Sequence, residues 1–176
     1  MIALLNTPLF AVYNSAIGVT RGIESRFVQS TPTTDVGTSF TFSRSLAGGV
    51  SGGTFLFPPP AVSDLTLQPE DHDETYVGDA FVTRRFAADR KSFVTLETQY
   101  GSGFPVAFLN GTGGRLPAHF EFNASLGRAA VGHHLGYELA VDNLADKRYL
   151  IKVNNGFNTT QWNEPRRIVF RLTAPW

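Results

Sequence analysis

Acidic side chains recur at alternate positions of several segments of this 176-residue chain, and they are the first candidates for chemistry. Paired carboxylates act as general acid and base when they share a pocket that separates their pKa values. Nothing in the spacing indicates a shared pocket, so we predict a polar surface beside water or protein rather than a catalytic pair. The residues are Glu24, Glu97, Glu121, Glu138 and Asp142.

Two segments that contain histidine are candidates for metal binding. The triplet Asp71-His72-Asp73 carries suitable ligand types, but successive residues of a strand face opposite ways and do not converge on one ion. His133 and His134 fall in a short predicted turn, where we expect them to be solvated. The chain has no cysteine, which removes thiolate chemistry and cysteine-based metal sites. We therefore predict no enzymatic activity, no metal and no cofactor.

Composition limits the remaining classes of function. Lys+Arg and Asp+Glu number 15 each, so the formal net charge is zero and no bulk charge favours nucleic acid. No continuous apolar run reaches about 18 residues, so no transmembrane helix is predicted, although barrel strands are only half apolar. The segment 1–8 has no basic region and predicts no signal peptide, so we expect either a fragment or a chain written without its leader.

Apolar residues at every second position are the main signal of secondary structure. Because successive strand side chains point to opposite faces, such segments predict strands with one apolar and one polar face. The clearest internal example places Phe120, Phe122, Ala124 and Leu126 between polar residues. We predict an all-β, antiparallel transmembrane β-barrel segment of about seven to eight strands, at about 7–13, 16–29, 35–44, 74–86, 91–102, 118–128, 134–143 (or as far as 150) and 165–176.

The last predicted strand has the form of a transmembrane barrel strand. Its apolar residues Ile168, Phe170 and Leu172 alternate with charged ones and are followed by the aromatic Trp176. Barrel strands are apolar toward lipid, polar toward the lumen and aromatic at the membrane boundary. We expect the alternate arginines, such as Arg171, to pair with acids of the neighbouring strand.

The predicted connections alternate between short and long along the chain. The short ones are 30–34, 87–90 and 128–133, and the long ones are 45–73, 103–117 and 151–164. Outer-membrane barrels combine short periplasmic turns with long extracellular loops. If Trp176 lies at the periplasmic rim, every long connection lies outside the cell, where it can help to capture a ligand.

Several motifs resemble the C-terminal end of the barrel of TonB-dependent outer-membrane receptors. The segment 141–149 is similar to the family's v-N-L-x-D-k-x-Y pattern. Its matching residues are Asn143, Leu144, Asp146 and Tyr149, and Pro165-Arg166 then opens the final strand. Upstream, Tyr100-Gly101-Ser102-Gly103-Phe104-Pro105 resembles Y-x-S-G-f-p, and Leu116-Pro117-Ala118-His119, Asp71-His72-Asp73 and Arg21-Gly22-Ile23-Glu24 resemble the starts or interiors of other barrel strands.

The resemblance implies a wide β-barrel that imports iron chelates, cobalamin or saccharides through the Gram-negative outer membrane. Such barrels have about 22 strands and hold a plug domain, so residues 1–176 are expected to be the C-terminal portion of a partial barrel without its plug. The implied partners are outer-membrane lipid, the barrel-assembly machinery, the plug and remaining strands, and TonB only through that missing plug. The assembly machinery is expected to read Ile168, Phe170, Leu172 and Trp176, and the lumen-facing residues are expected to be Glu24, Glu97, Glu121, Glu138 and Arg171.

Two other classes of protein stay open from the sequence. One is a free-standing eight-stranded barrel with a structural or adhesion role, which requires the first strand to pair with residues 165–176. The other is a soluble β-sandwich binding module, in which Phe120, Phe122, Leu139 and Phe170 form a dry core. The receptor interpretation instead exposes these four side chains on an outer surface.

Overall fold

The computed structural model describes residues 12–49, 52–54, 67–70, 73–107, 113–153 and 160–174. Within these ranges the regular structure is entirely β. The strands are β1 (Val12–Asn14), β2 (Ile17–Ser30), β3 (Thr34–Gly48), β4 (Gly52–Thr54), β5 (Gln68–Pro69), β6 (Tyr76–Phe86), β7 (Ser92–Gly101), β8 (Pro105–Ala107), β9 (Gly113–Arg115), β10 (His119–Arg128), β11 (Gly136–Asp142), β12 (Leu150–Lys152), β13 (Gln161–Trp162) and β14 (Arg167–Thr173). No helix long and apolar enough to cross a membrane occurs in the described ranges.

One antiparallel sheet dominates the fold. Its strands lie in the order β14-β11-β10-β7-β6-β3-β2, and the short β5 pairs additionally with β3. Every neighbour in this order is also the next long strand along the chain, so the sheet is a meander. The predicted all-β antiparallel fold is confirmed. The described strands do not close into a barrel, because β2 and β14 lie at opposite edges and do not pair with each other.

Seven of the eight predicted strands correspond to the seven long strands of the sheet. Their bounds agree within a few residues, except that β3 continues to Gly48, past the predicted end at 44. The predicted extension of the seventh strand to 150 is wrong, because the chain leaves the sheet after Asp142 and β12 pairs with β13 instead. Trp176 lies outside the described residues.

The first predicted strand, 7–13, does not add a strand to the sheet in its described part. Only its last residues are described, and they belong to β1, which pairs with β4. Since β1 directly precedes β2 and β4 directly follows β3, this pair continues the β2–β3 ladder beyond Gly48. The pairing of the first strand with residues 165–176, which an eight-stranded barrel requires, is therefore not observed in the described part of the chain.

The alternation of short and long connections is confirmed. Residues 31–33, 87–91 and 129–135 connect neighbouring strands at one end of the sheet, called here the short-turn end. Residues 49–75, 102–118 and 143–166 connect strands at the opposite end, the long-link end. In a meander each strand reverses direction, so this alternation places all three long links together. His133 and His134 lie in the third short turn, as predicted, where the His134 N–H donates to the carbonyl of Val131 at 2.9 Å.

The strand register sorts the side chains of the sheet into two faces of opposite character. One row of directly paired residues is apolar across six strands: Val36, Val82, Leu96, Ala124, Val141 and Ile168. The row on the opposite face that crosses β2, β3, β6, β7 and β10 is polar throughout: Arg26, Ser39, Asp79, Gln99 and Glu121. We call these the apolar face and the polar face.

The apolar face is open to the surroundings. Ile23, Ile168 and Leu172 are 69%, 68% and 65% exposed, whereas the buried hydrophobic residues in the described ranges are Val106, Leu116 and Ala140. No second layer covers this face among the described residues. The four side chains expected to form the dry core of a sandwich, Phe120, Phe122, Leu139 and Phe170, are 48%, 48%, 46% and 63% exposed, so that prediction is wrong.

Candidate functional site

The predicted lumen-facing residues all lie on the polar face. Their positions follow from the register. It places these side chains on the other side of the sheet from the apolar rows: Glu24, Glu97, Glu121, Glu138 and Arg171. Arg171 Nη1 lies 2.8 Å from Glu138 Oε2, and Arg167 Nη2 lies 2.8 Å from Asp142 Oδ2. Both pairs link β14 to β11, which confirms that the arginines meet acids of the neighbouring strand.

These pairs border a shallow concavity of about 220 Å³ on the polar face. Its polar lining includes Thr95, Glu97, Asn123, Ser125, Glu138, Asp142 and Arg171. Three of the five acids thus share one concavity, which their spacing in the sequence did not indicate. Exposed ion pairs contribute little stability each, so their role is to keep this face charged and hydrated rather than to hold the sheet together.

Asn143 joins the two ends of the third long link. Its side chain is 1% exposed. Nδ2 donates to the carbonyls of Lys147 at 2.9 Å and of Glu164 at 3.0 Å, and Oδ1 accepts from the Lys147 N–H at 2.9 Å. Its φ is +51°, a left-handed conformation that asparagine tolerates better than most residues. The side chain therefore replaces the ladder hydrogen bonds that the chain loses when it leaves β11.

The other residues of the predicted motif surround this turn. The Leu144 N–H donates to the carbonyl of Phe122 at 2.7 Å, although the Leu144 side chain is exposed. Asp146 Oδ1 accepts from the Arg166 N–H at 2.9 Å, so it holds the start of the final strand against the link. Pro165 is exposed and lies directly before Arg166. The structure thus brings the motif residues of segments 143–149 and 165–166 together.

Asn163 is a second buried amide that the sequence did not single out. It is 4% exposed, its Oδ1 accepts from the Tyr149 N–H at 2.9 Å, and its Nδ2 donates to the carbonyl of Lys147 at 2.8 Å. The Asn163 N–H also donates to the carbonyl of Tyr149 at 3.0 Å. An isolated asparagine in a polar link has no periodic signal, so only the fold reveals its role.

His119 lies where the three long links meet. The Tyr149 ring stacks on its imidazole with centroids 3.9 Å apart and planes at 12°, and the Phe104 ring lies 6.0 Å away at 18°. Glu74 Oε1 lies 3.8 Å from His119 Nδ1, which is buried without a hydrogen-bond partner. Glu74, Phe104 and Tyr149 come from the first, second and third links respectively. The sequence indicated His119 only as the end of the Leu116–His119 motif at the start of a predicted strand, without a role in joining the links.

The first and second links are also joined directly. Glu74 Oε1 accepts from the Gly103 N–H at 2.7 Å. Arg115 donates from Nη1 to the Gly103 carbonyl at 2.8 Å and from Nη2 to Thr75 Oγ1 at 2.7 Å. We call the residues that join the links, Glu74, Gly103, Arg115, His119, Asn143, Tyr149 and Asn163, the rim cluster. It fixes the bases of all three long links at one end of the polar face.

Burial raises the pKa of Tyr149 to about 12, and the Glu121 carboxylate, which accepts its phenolic hydrogen bond at 3.2 Å, acts in the same direction. Burial and nearby negative charge both disfavour the phenolate. Because the folded pKa is raised above the unfolded value of about 10, this stabilisation is complete below about pH 10 and is lost as the pH rises toward about 12.

We expect the ultraviolet titration difference between the wild type and Tyr149→Phe to show one phenol that ionises near pH 12. Tyr137→Phe, which removes an exposed phenol from the sheet, serves as the control variant. Ionisation of Tyr149 near pH 10, the ordinary value of about 10 for tyrosine, would contradict a dehydrated rim cluster.

The described residues contain no group of three or more His, Asp or Glu placed to hold a metal ion. Of the candidate triplet, Asp71 and His72 lie outside the described residues, and Asp73 is buried. The arrangement of the rim cluster is that of an anchor for loops, since most of its polar groups bind one another and backbone groups.

No family model, no curated protein and no solved structure matches this chain.

Proposed function

We propose that this chain is the C-terminal portion of the β-barrel of a TonB-dependent outer-membrane receptor, which takes up an iron chelate, cobalamin or a saccharide. The observation that carries the proposal is the distribution of side chains on the sheet. Apolar side chains cover one exposed face, and charged and polar side chains cover the other. A membrane barrel has this arrangement, with lipid on the apolar side and water or a plug on the polar side.

An apolar face of this extent needs a cover. Soluble monomeric proteins rarely expose continuous apolar patches larger than a few hundred Å², and here the exposed apolar residues extend from β2 to β14. Lipid is the cover that accepts such a face without a second protein layer. Aromatic residues at its two ends support this assignment, because tyrosine and tryptophan are enriched where membrane and water meet.

At the long-link end the aromatic residues form contacts with one another. The Tyr100 and Phe120 rings lie 4.9 Å apart, and the Phe42 and Tyr76 rings lie 5.4 Å apart. Tyr137 lies at the short-turn end, where it begins the paired part of β11 next to Gly136. Tyr137 and the aromatic residues of the long-link end are separated by most of the strand length, as expected for residues at the two boundaries of a membrane.

The polar face and the long links supply the receptor features of the proposal. The ion pairs of β11 and β14 face the lumen, where the plug domain would contact them. The long links begin and end near the rim cluster, and they help to capture the ligand. The edges β2 and β14 have no second partner among the described residues. Since lipid does not tolerate unpaired backbone groups, the remaining strands of the barrel cover them, and the assembly machinery recognises Ile168, Phe170 and Leu172.

The test is cell fractionation of the expressed chain in a Gram-negative host, followed by heat-modifiable gel mobility of the membrane fraction. Two variants of the final strand sharpen it: Phe170→Arg places a charge on the apolar face, and Val169→Arg places the same charge on the polar face one residue away. Because a charge that faces lipid costs about 2–4 kcal/mol near the midplane, we expect Phe170→Arg to reduce membrane recovery strongly when the chain is expressed together with further receptor strands, and Val169→Arg to have little effect there.

The outcomes separate the classes of protein. Recovery of the wild type as a clean soluble monomer would contradict the membrane assignment. A heat-sensitive folded band from this chain alone would favour a free-standing small barrel over a receptor portion. Membrane recovery only together with further receptor strands is the result that the proposal predicts.

A further inference from the structure

We propose that Arg21 and Arg44 together bind the phosphate of a membrane-lipid headgroup at the long-link end of the apolar face. The inference rests on the proposed function, because it requires lipid along this face. It goes further by naming a specific lipid contact and the two residues that make it.

The first observation is the direct pairing of two like charges. Arg21 of β2 lies opposite Arg44 of β3 in the ladder, and both side chains are exposed. Residues paired in this way have Cβ atoms about 4.5–5.5 Å apart, and like charges there destabilise the sheet. An anion that bridges the two guanidinium groups removes this penalty.

The second observation is that this pair lacks a partner. Arg21 and Arg44 form no hydrogen bond or ion pair with any described residue. Two further arginines lie on the apolar face, Arg84 and Arg128, and both are satisfied near the short turns. Arg84 Nη1 donates to Thr34 Oγ1 at 2.6 Å, and Arg128 pairs with Asp89. The positive charges of the apolar face that have no partner among the described residues are therefore those of Arg21 and Arg44, at the long-link end.

The charges on the apolar face all have the same sign. In the described long strands this face carries Arg21, Arg44, Arg84 and Arg128 and no Asp or Glu, since the register places the strand acids on the polar face. The acids of the sheet therefore do not neutralise Arg21 and Arg44, and an anion from outside the sheet would compensate both charges.

The third observation is the depth of the pair. The adjacent row toward the strand centre consists of Ile23, Phe42 and Tyr76, and the last two rings contact each other. Arg21 and Arg44 lie two residues beyond this row toward the long-link end, which corresponds to about 6.6 Å along the strand. Interfacial aromatics lie at the headgroup level, so Arg21 and Arg44 reach the layer that contains phosphate. Guanidinium groups bind phosphate oxygens in bidentate geometry, while their aliphatic stems remain on the apolar surface.

Native mass spectrometry of the full chain in maltoside micelles tests the proposal. The probes are dimyristoyl phosphatidic acid, dimyristoyl glycerol and inorganic phosphate. We expect the wild type to retain one phosphatidic acid, and the double variant Arg21→Gln/Arg44→Gln to bind it about tenfold more weakly, which corresponds to about 1.4 kcal/mol. Arg26→Gln is the matched control, because Arg26 is an exposed arginine of the same strand on the polar face.

Three results would overturn the proposal. An equal loss of binding in Arg26→Gln would indicate unspecific electrostatics, and equal retention of dimyristoyl glycerol would indicate contact with acyl chains only. Displacement by inorganic phosphate at the same concentration would indicate a small-anion site rather than a lipid site.

The barrel proposal can fail separately from this one, if the chain is a soluble monomer without detergent. In that case flotation with vesicles that contain phosphatidic acid decides. Binding by the wild type but not by the double variant would support the phosphate site, and equal binding would overturn it.

Discussion

Replacement of Asn143 by alanine is expected to lower the free energy of unfolding by about 3–4 kcal/mol, because it leaves buried backbone groups without partners. The side chain is 1% exposed and bonds to backbone groups of Lys147 and Glu164. Its loss would detach both ends of the third long link from each other, and alanine also disfavours the φ of +51°. Urea unfolding of the chain folded in detergent micelles measures the change, and hydrogen exchange of segments 143–153 and 160–166 locates it.

Two further variants separate the causes. Asn143→Gly accepts the left-handed backbone but removes the hydrogen bonds, so we expect it to retain most of the destabilisation. Leu144→Ala changes the next side chain, which is 46% exposed, and should cost little. If Asn143→Gly were as stable as the wild type, the backbone conformation rather than the amide contacts would account for the effect.

Gly103→Ala is expected to release the second long link. Gly103 has φ +88°, and a Cβ added there would lie 1.9 Å from the carbonyl oxygen of Leu116. Relief of that clash must move the backbone whose N–H and carbonyl bond to Glu74 and Arg115. We expect a loss of about 3–5 kcal/mol and much faster tryptic cleavage after Arg115.

Gly132→Ala is the matched control for this substitution. Gly132 also has a positive φ, +56°, but a Cβ there would have nothing within 4 Å. The expected cost is therefore only the backbone term of about 1 kcal/mol, with no change of cleavage after Arg115. Equal effects of the two substitutions would show that the tight contact at Gly103 is not important for the link.

The sequence predicted the sheet well because its signal is local. A period of two is visible within a single strand, so β10 and β14 could be located from Phe120–Leu126 and Ile168–Leu172 alone. The alternation of apolar and polar residues does not mark the end of a strand that is extended by backbone pairing with its neighbours. The end of β3, which lacks clear alternation, is held by β2 and by β5 at Leu46 and Ala47.

The rim cluster was only partly predictable. The motif pointed to Asn143 and Tyr149, but their roles depend on contacts with residues far along the chain. His119 meets Glu74 and Phe104 only after three links fold back to one end of the sheet. Spacing within a segment carries no information on such contacts, so the role of His119 and the importance of Asn163 became evident only from the fold.

The odd number of long strands has a consequence for any closed form of this sheet. In a meander of seven strands the two edges, β2 and β14, run in the same direction. Joining them to each other, or joining identical copies edge to edge in one orientation, would create a parallel seam. Antiparallel barrels of bacterial single chains have even strand numbers. An antiparallel closure of these seven described strands therefore requires an odd number of strands in addition to them.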